Sequence, residues 1–331
     1  MLSILIPTAG RGDVLPAVLS SVHRECQSIG HPIEVIVIDN NSNEDLGSCV
    51  RQQCASAEGA VRYAREPSPG LTAARHRGAD EAAGDLFVYL DDDVELGRGW
   101  FAGILNGFKD AAVGIVGGPS IPRFGSSVPS WFWNFVAPAP QGGWHCGWVS
   151  LLDIGQPVSD IDPNYIWGLN FGIRRSVLKA LGGFHPDLVP PHLQRWQGDG
   201  ETGLTIKAKT AGIRARYVPE ALVYHHVGPE RLTPEYFARR ARYQGVCDSF
   251  TSIRAGNAPG ETAAPPPAQG VGPWQAAAAD VRRLTDQAYR EGFDFHQREA
   301  AGDPRLMQWI RRDTFWGADI LAETEAANET V

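Results

Sequence analysis

Lysine is nearly missing from this chain: four lysines stand against 26 arginines in 331 residues. That bias fits a GC-rich bacterial genome and says nothing more. An excess of positive charge is lacking too. The net charge of −8 argues against a nucleic-acid partner and against broad binding to an anionic membrane surface. Local arginine clusters can still hold a phosphate. Paired cysteines are absent as well. Cys26, Cys49, Cys54, Cys146 and Cys247 are scattered, odd in number and without CxxC spacing. This pattern argues against a disulfide framework and a structural zinc site, and a reducing cytosol is expected. No stretch reaches the roughly 18–20 apolar residues that span a bilayer. The chain opens directly on a strand, without a basic n-region or a long apolar h-region. The expected location is cytoplasmic, or peripheral at the inner face of a membrane. No internal repeat is visible. Hydrophobic residues at 43% are enough for a full core.

What is present centres on Asp91-Asp92-Asp93. These acids follow Leu86-Phe87-Val88-Tyr89-Leu90, an apolar run that reads as a buried parallel strand. The acids therefore fall at the C-terminal end of a central strand, where open α/β sheets bind ligands. Adjacent carboxylates repel unless a cation lies among them. A hard divalent ion, Mg²⁺ or Mn²⁺, suits oxygen ligands and usually brings phosphates with it.

The rest of the first half supports that placement. Strands are expected over 2–6, 34–38 and 61–64. Helices are expected after Asp13 (apolar at Val14, Leu15, Val18, Leu19 and Val22), over 44–55 and to about Ala83. Asp39-Asn40-Asn41-Ser42 ends the second strand on the same edge as the three aspartates. This β-α-β order with short connections predicts an α/β, doubly wound, mostly parallel sheet. A helix over 99–109 and a strand over 113–116 follow. Residues 119–165 read as a long Pro-, Gly- and Trp-rich loop region with Trp131, Trp133, Trp144 and Trp148. Such a loop serves either to bury its own aromatics or to stack a sugar face. Asp199 and Glu201 open a helix running to about Thr210, and His225-His226 end a strand. Helices are expected over 234–250, 274–300 and 303–326. The implied organisation is a domain over 1–254 (donor half about 1–118, acceptor half about 119–254), a flexible linker over 255–273 and a helical extension over 274–331.

Five segments together resemble an inverting family 2 glycosyltransferase of GT-A fold, with a match over about residues 1–250. They are Ile6-Pro7-Thr8-Ala9-Gly10-Arg11, Val37-Ile38-Asp39-Asn40-Asn41-Ser42, Gly70-Leu71-Thr72-Ala73-Ala74-Arg75, Leu90-Asp91-Asp92-Asp93 (an Asp-x-Asp motif), and Gly168-Leu169-Asn170-Phe171 with Gly182-Gly183-Phe184. The resemblance implies a sheet flanked by helices, a nucleoside-diphosphate sugar as donor, most often a UDP-sugar, and a divalent metal, Mn²⁺ or Mg²⁺. Pro7, Thr8, Arg11, Asp39, Arg75, Asp91 and Asp92 would meet the donor nucleotide. Asp93 would hold the metal, with His225 or His226. Trp167, Gly168 and Asn170 would lie toward the acceptor or the donor sugar. The general base would be Glu201, with Asp199 as competitor, because glycine stands where the family places the preceding acid. The acceptor would be a glycan, a lipid-linked sugar or a small molecule. The C-terminal helices lie outside the resemblance and would pack back on the domain, cover the acceptor site or make a homodimer contact.

The chemistry needs these residue types. The leaving diphosphate gains negative charge as the glycosidic bond breaks, and a metal offsets it. The acceptor hydroxyl is a weak nucleophile, so a carboxylate must take its proton. Two rival readings are a sugar-nucleotide pyrophosphorylase and a non-catalytic nucleotide-sugar-binding protein. The first wants a basic Gly-rich loop after the first strand and a downstream lysine, which this chain supplies poorly. The second leaves the acids and histidines without a purpose.

Overall fold

The computed structural model describes residues 1–10, 14–27, 30–41, 43–57, 59–139, 141–155, 157–260 and 275–328. The chain begins β1 (Leu2–Thr8), α1 (Leu15–Cys26), β2 (Ile33–Asp39), α2 (Glu44–Ser56), β3 (Val61–Arg65), α3 (Leu71–Glu81) and β4 (Leu86–Leu90). β1 is buried along its whole length, as a central strand with both faces covered must be. It pairs in parallel with β2 on one side and β4 on the other, and β2 pairs in parallel with β3. α1 covers one face with Leu15, Val18, Leu19 and Val22 at helical spacing. Its expected cap, Asp13, lies outside the described residues. Parallel pairing brings the C-terminal ends of β1, β2 and β4 to one edge, and with them Thr8, Asp39 and Asp91.

The chain continues through β5 (Val94–Leu96), α4 (Trp100–Gly107), β6 (Val113–Gly117), β7 (Ser120–Phe124), β8 (Ala137–Pro138), β9 (Trp144–Cys146), β10 (Leu151–Asp153), β11 (Ser159–Ile161) and β12 (Asn170–Arg174). Next come α5 (Arg175–Ala180), α6 (Gly200–Thr210), β13 (Arg214–Tyr217), β14 (Val223–Val227) and α7 (Pro234–Arg254). β12 runs antiparallel between β4 and β6, so the sheet is mixed at its centre. The strand order of the large sheet is β11-β13-β6-β12-β4-β1-β2-β3, and a smaller sheet runs β5-β14-β7-β10-β9-β8. The region 119–165 is thus a set of short strands. Strands of two or three residues are too short to leave an alternating pattern in the sequence. Trp131, Phe132, Phe135 and Trp148 pack around Phe237 of α7. These four rings therefore stabilise this part of the fold.

The C-terminal part forms α8 (Gln275–Gly302), α9 (Pro304–Ile310) and α10 (Ile320–Asn328). α8 lies on α7 at very close range. A Cβ at Gly245 or Gly292 would strike the backbone of the facing helix, so glycine is what permits the contact. The helix expected over 303–326 is interrupted. Phe315 and Trp316 donate their N–H groups to the Gly182 carbonyl at 2.9 and 3.1 Å, which pins the chain between α9 and α10. Trp309 donates its indole N–H to the Trp196 carbonyl (3.0 Å) within a core shared with Phe250, Ile253, Leu306 and Phe315. From residue 261 on, the expected linker lies outside the described residues. Among the described residues no helix is long and apolar enough to cross a membrane.

Candidate active site

The acids sit where β4 ends and β5 begins, and β5 turns away to pair antiparallel with β14. Asp92 is buried and accepts the Thr8 hydroxyl at 2.6 Å, locking the end of β1 to the acidic turn. Asp39, 1% exposed, accepts the Tyr63 hydroxyl at 2.8 Å and bonds with the Asn41 amide. Asn40 donates to the carbonyls of Glu66 and Ser68 (3.0 and 2.7 Å) and accepts from Gly70 N–H (3.1 Å). It thereby shapes the loop leading to α3. Pro7 sits in β1 opposite Ile38. Arg11 lies outside the described residues. Asp91 is half-buried, and no hydrogen bond to its carboxylate is found among the described residues. Burial and the neighbouring Asp93 charge raise its pKa, against the pull of Arg75 and His225.

Asp93 faces β14. Its Oδ1 lies 3.4 Å from His225 Nε2, and its Oδ2 receives Arg231 Nη2 at 2.5 Å. His225 Nδ1 lies 3.0 Å from the Val149 carbonyl, which can only accept. Nδ1 therefore carries the proton, and Nε2 turns its lone pair toward Asp93 and toward Arg231 Nη1 at 2.8 Å. This is the tautomer a metal-ligating histidine needs, set by a backbone carbonyl behind it. The next residue, His226, points to the other face of the strand. It is 41% exposed and bonds Glu95 at 2.7 Å, which pairs with Arg123. Strand alternation thus separates the two histidines, and only His225 meets the acids. Among the described residues no three His, Cys, Asp or Glu side chains converge on one point. Asp93 and His225 fit an ion that takes its remaining ligands from phosphates, as Mg²⁺-type sites commonly do. The Arg231 guanidinium now lies across both ligand atoms, a cation where a cation belongs.

On the opposite side, Glu201 stands in the first turn of α6. Arg75, 2% exposed, projects from α3 and donates to Glu201 Oε2 at 3.0 Å. Gly168 N–H donates to Oε1 at 3.3 Å. Burial pushes the Glu201 carboxyl up, but the charge and hydrogen bond of Arg75 and two backbone N–H groups bring it below the usual carboxylate value. Arg75 is backed by the Phe184 ring, 5.0 Å from its Cζ. A Cβ at residue 168 would strike the guanidinium, so glycine there lets Arg75 lie where it does. The charges of Arg75, Asp91 and Glu201 reach one another.

Other expected site residues are turned into the frame. Asp199 is buried, with Oδ1 2.6 Å from His185 Nδ1 and Oδ2 accepting the Thr251 hydroxyl at 2.7 Å. Asn170 accepts from Trp100 Nε1 (3.0 Å) and donates to the Ala221 carbonyl (2.7 Å). Trp167 donates its indole N–H to the Asn164 carbonyl at 2.9 Å. Arg231 entered the site without a sequence motif to mark it. The only trace of Arg231 is its place six residues after His225.

A family model described as "Glycosyl transferase family 2" matches residues 3–182. A glucosyl-dolichyl phosphate glucuronosyltransferase of Haloferax volcanii is 20% identical over 65% of this chain and 66% of its own. The chain spans 27% to 66% of the length of such curated relatives. In three dimensions it is similar to the mannosyltransferase PcManGT of Pyrobaculum calidifontis in complex with GDP-Man and Mn²⁺. The TM-score is 0.50 at 18% identity, over 98% of this chain and 86% of that one. It is also similar to GalNAc-T7 with UDP, GalNAc and Mn²⁺, with a TM-score of 0.51 at 16% identity over 92% and 57%. At these identities the likeness concerns the fold, which is GT-A.

Proposed function

Since the chain belongs to glycosyl transferase family 2, we propose that it transfers a sugar from a nucleoside-diphosphate sugar to an acceptor hydroxyl, in a metal-dependent reaction that inverts the anomeric centre. The observation that carries this reading is that two halves meet electrostatically at Asp91, which feels Asp93 and His225 on one side and Arg75 and Glu201 on the other. Asp93 and His225 form one half, and Glu201, oriented by Arg75 and the Gly168 N–H, forms the other. Thr8, Asp39 and Asp91 take the nucleoside side of the donor. Asp93 and His225 hold Mn²⁺ or Mg²⁺, with His226 left on the surface. When bound, the ion neutralises the charge that develops on the departing diphosphate. Arg231, which bonds Asp93 in the absence of the ion, would be free to pair with the phosphates when the ion is bound.

Glu201 is the general base. Its lowered pKa keeps it ionised near neutrality, and Arg75 keeps one oxygen in a fixed direction. It takes the proton of the acceptor hydroxyl as that oxygen attacks the anomeric carbon. One C–O bond forms while the bond to the diphosphate oxygen breaks on the opposite face, which inverts the centre. Asp199 holds His185 and Thr251 and stays outside the reaction. The donor to test first is a UDP-sugar, by analogy with the family. The Haloferax relative is named for a glucosyl-dolichyl phosphate, a lipid-linked sugar, which supports an acceptor of that kind, at a membrane face, beside glycans and small molecules. Glu201→Gln should retain donor binding and lose about 10²–10⁴-fold in transfer. Transfer at the wild-type rate would rule Glu201 out as the base.

A further inference from the structure

We propose that Asp187 is a second carboxylate of the acceptor site, which reads an acceptor hydroxyl next to the one that reacts. The inference rests on the glycosyltransferase reading above and adds a specificity-determining residue to it. Glycine occupies position 200, where the resemblance leads one to expect an acid beside the base. The space is filled from another element. A Cβ on Gly200 would lie 2.8 Å from Asp187 Oδ2 and 2.9 Å from its Cγ. The Asp187 carboxylate thus stands beside the first residue of α6, next to Glu201.

Its two oxygens differ. Oδ1 receives Gln197 Nε2 at 2.9 Å and the Leu188 N–H at 2.8 Å. No hydrogen bond to Oδ2 is found among the described residues, and the side chain is half-buried rather than enclosed. One oxygen is anchored and the other is presented. The loop that carries it is clamped on both sides. The Asp187 carbonyl accepts from Leu71 N–H at the start of α3 (2.9 Å), His185 N–H donates to the Gly200 carbonyl (3.1 Å), and Gly198 N–H donates to the Pro186 carbonyl (3.0 Å). Leu188 is held at φ 48°, a left-handed conformation that costs a non-glycine residue free energy, and its side chain is 46% exposed. A buried donor is also left over nearby: among the described residues Arg75 Nε has no hydrogen-bond partner, and the Arg75 charge reaches Asp187. Glu201, Arg75, Gln197, Arg240, Tyr243 and Cys247 surround Asp187. Burial and the Glu201 charge push its carboxyl up to about 6, so it is ionised at pH 7.5 and accepts hydrogen bonds from a polyol.

The test uses the full chain, a set of UDP- and GDP-sugars, and methyl glycosides of glucose, galactose and N-acetylglucosamine with their monodeoxy analogues. Nucleoside diphosphate release gives kcat/KM for each acceptor. Wild type should favour the hydroxyl over the deoxy form by about 10- to 100-fold at one ring position beside the reacting one. Asp187→Ala should abolish that preference and leave the preferences at the other positions standing. Asp187→Asn, which keeps an acceptor for Gln197 and Leu188 and so guards against misfolding, should show an intermediate ratio. Unchanged ratios in both variants would overturn the role of Asp187 alone. So would acceptor-independent release that no glycoside accelerates. If wild type releases no nucleoside diphosphate from any donor, the glycosyltransferase reading falls, and this inference with it.

Discussion

Replacing Arg75 by methionine tests the electrostatic centre of the site. The guanidinium is 2% exposed and pairs at 3.0 Å with a carboxylate whose side chain is 27% exposed. Breaking a buried pair by removing one partner costs about 3–5 kcal/mol. For 331 residues, at roughly 2.1 cal/mol/K of unfolding entropy per residue, that is a Tm drop of about 4–7 °C. The loss should also depend on pH. In the wild type, Glu201 has a lowered folded pKa. Its contribution is present above the unfolded value near 4.5 and is lost as pH falls. Asp91 and Asp187 have raised pKa values. Their contributions are present below the unfolded value near 3.8 and fade as pH rises, through about 6 for Asp187. Arg75 pulls all three down. Without it their folded pKa values rise, so the penalty is largest at pH 8 and shrinks toward pH 5. Thermal melts of both proteins at pH 5 and pH 8 measure this. A Tm gap of equal size at the two pH values, or no gap, would refute the reasoning.

Gly168→Ala should drive a methyl group into the Arg75 guanidinium and cost about 1–3 kcal/mol, together with a loss of transfer, read by thermal melts and donor turnover; a variant that melts with the wild type would contradict the close approach. The two histidines should separate cleanly. His225→Ala should abolish stabilisation by a nucleoside diphosphate with Mn²⁺, whereas His226→Ala, which breaks an exposed pair with Glu95, should cost no more than about 1 kcal/mol and retain it. Equal loss in both variants would remove the argument from strand alternation.

The first half of the fold was open to reading because its signals are local. An apolar run of five such as Leu86-Phe87-Val88-Tyr89-Leu90, bounded by turn residues, reads as a buried strand, and the short strand segments over 2–6, 34–38 and 61–64 alternate with helical patterns. The parallel order then brings Thr8, Asp39 and the acidic turn to one edge. What could not be read depends on contacts distant in sequence. β12 inserts antiparallel beside β4, and the strands of 119–165 are too short to leave a pattern. The break between α9 and α10 comes from hydrogen bonds to Gly182, more than 130 residues earlier. The choice between His225 and His226 needed the register of β14 against β5 and β7. Glu201 and Asp199 are two residues apart, yet only the structure distinguishes a carboxylate held by Arg75 from one enclosed by His185 and Thr251. Asp187 carries no motif, and its place beside Glu201 becomes visible only through the space left by Gly200.

The central claim is that Asp93 and His225 hold a divalent ion that carries a nucleoside diphosphate. The most direct measurement is a thermal-shift panel of UDP, GDP, dTDP, CDP and ADP, each with and without Mn²⁺, on wild type and Asp93→Ala. A ligand that binds only the native state raises its apparent stability by mass action. The account predicts that one nucleotide raises Tm only when Mn²⁺ is present, and that Asp93→Ala loses the shift. No shift with any nucleotide, or a shift that Asp93→Ala retains, would contradict it.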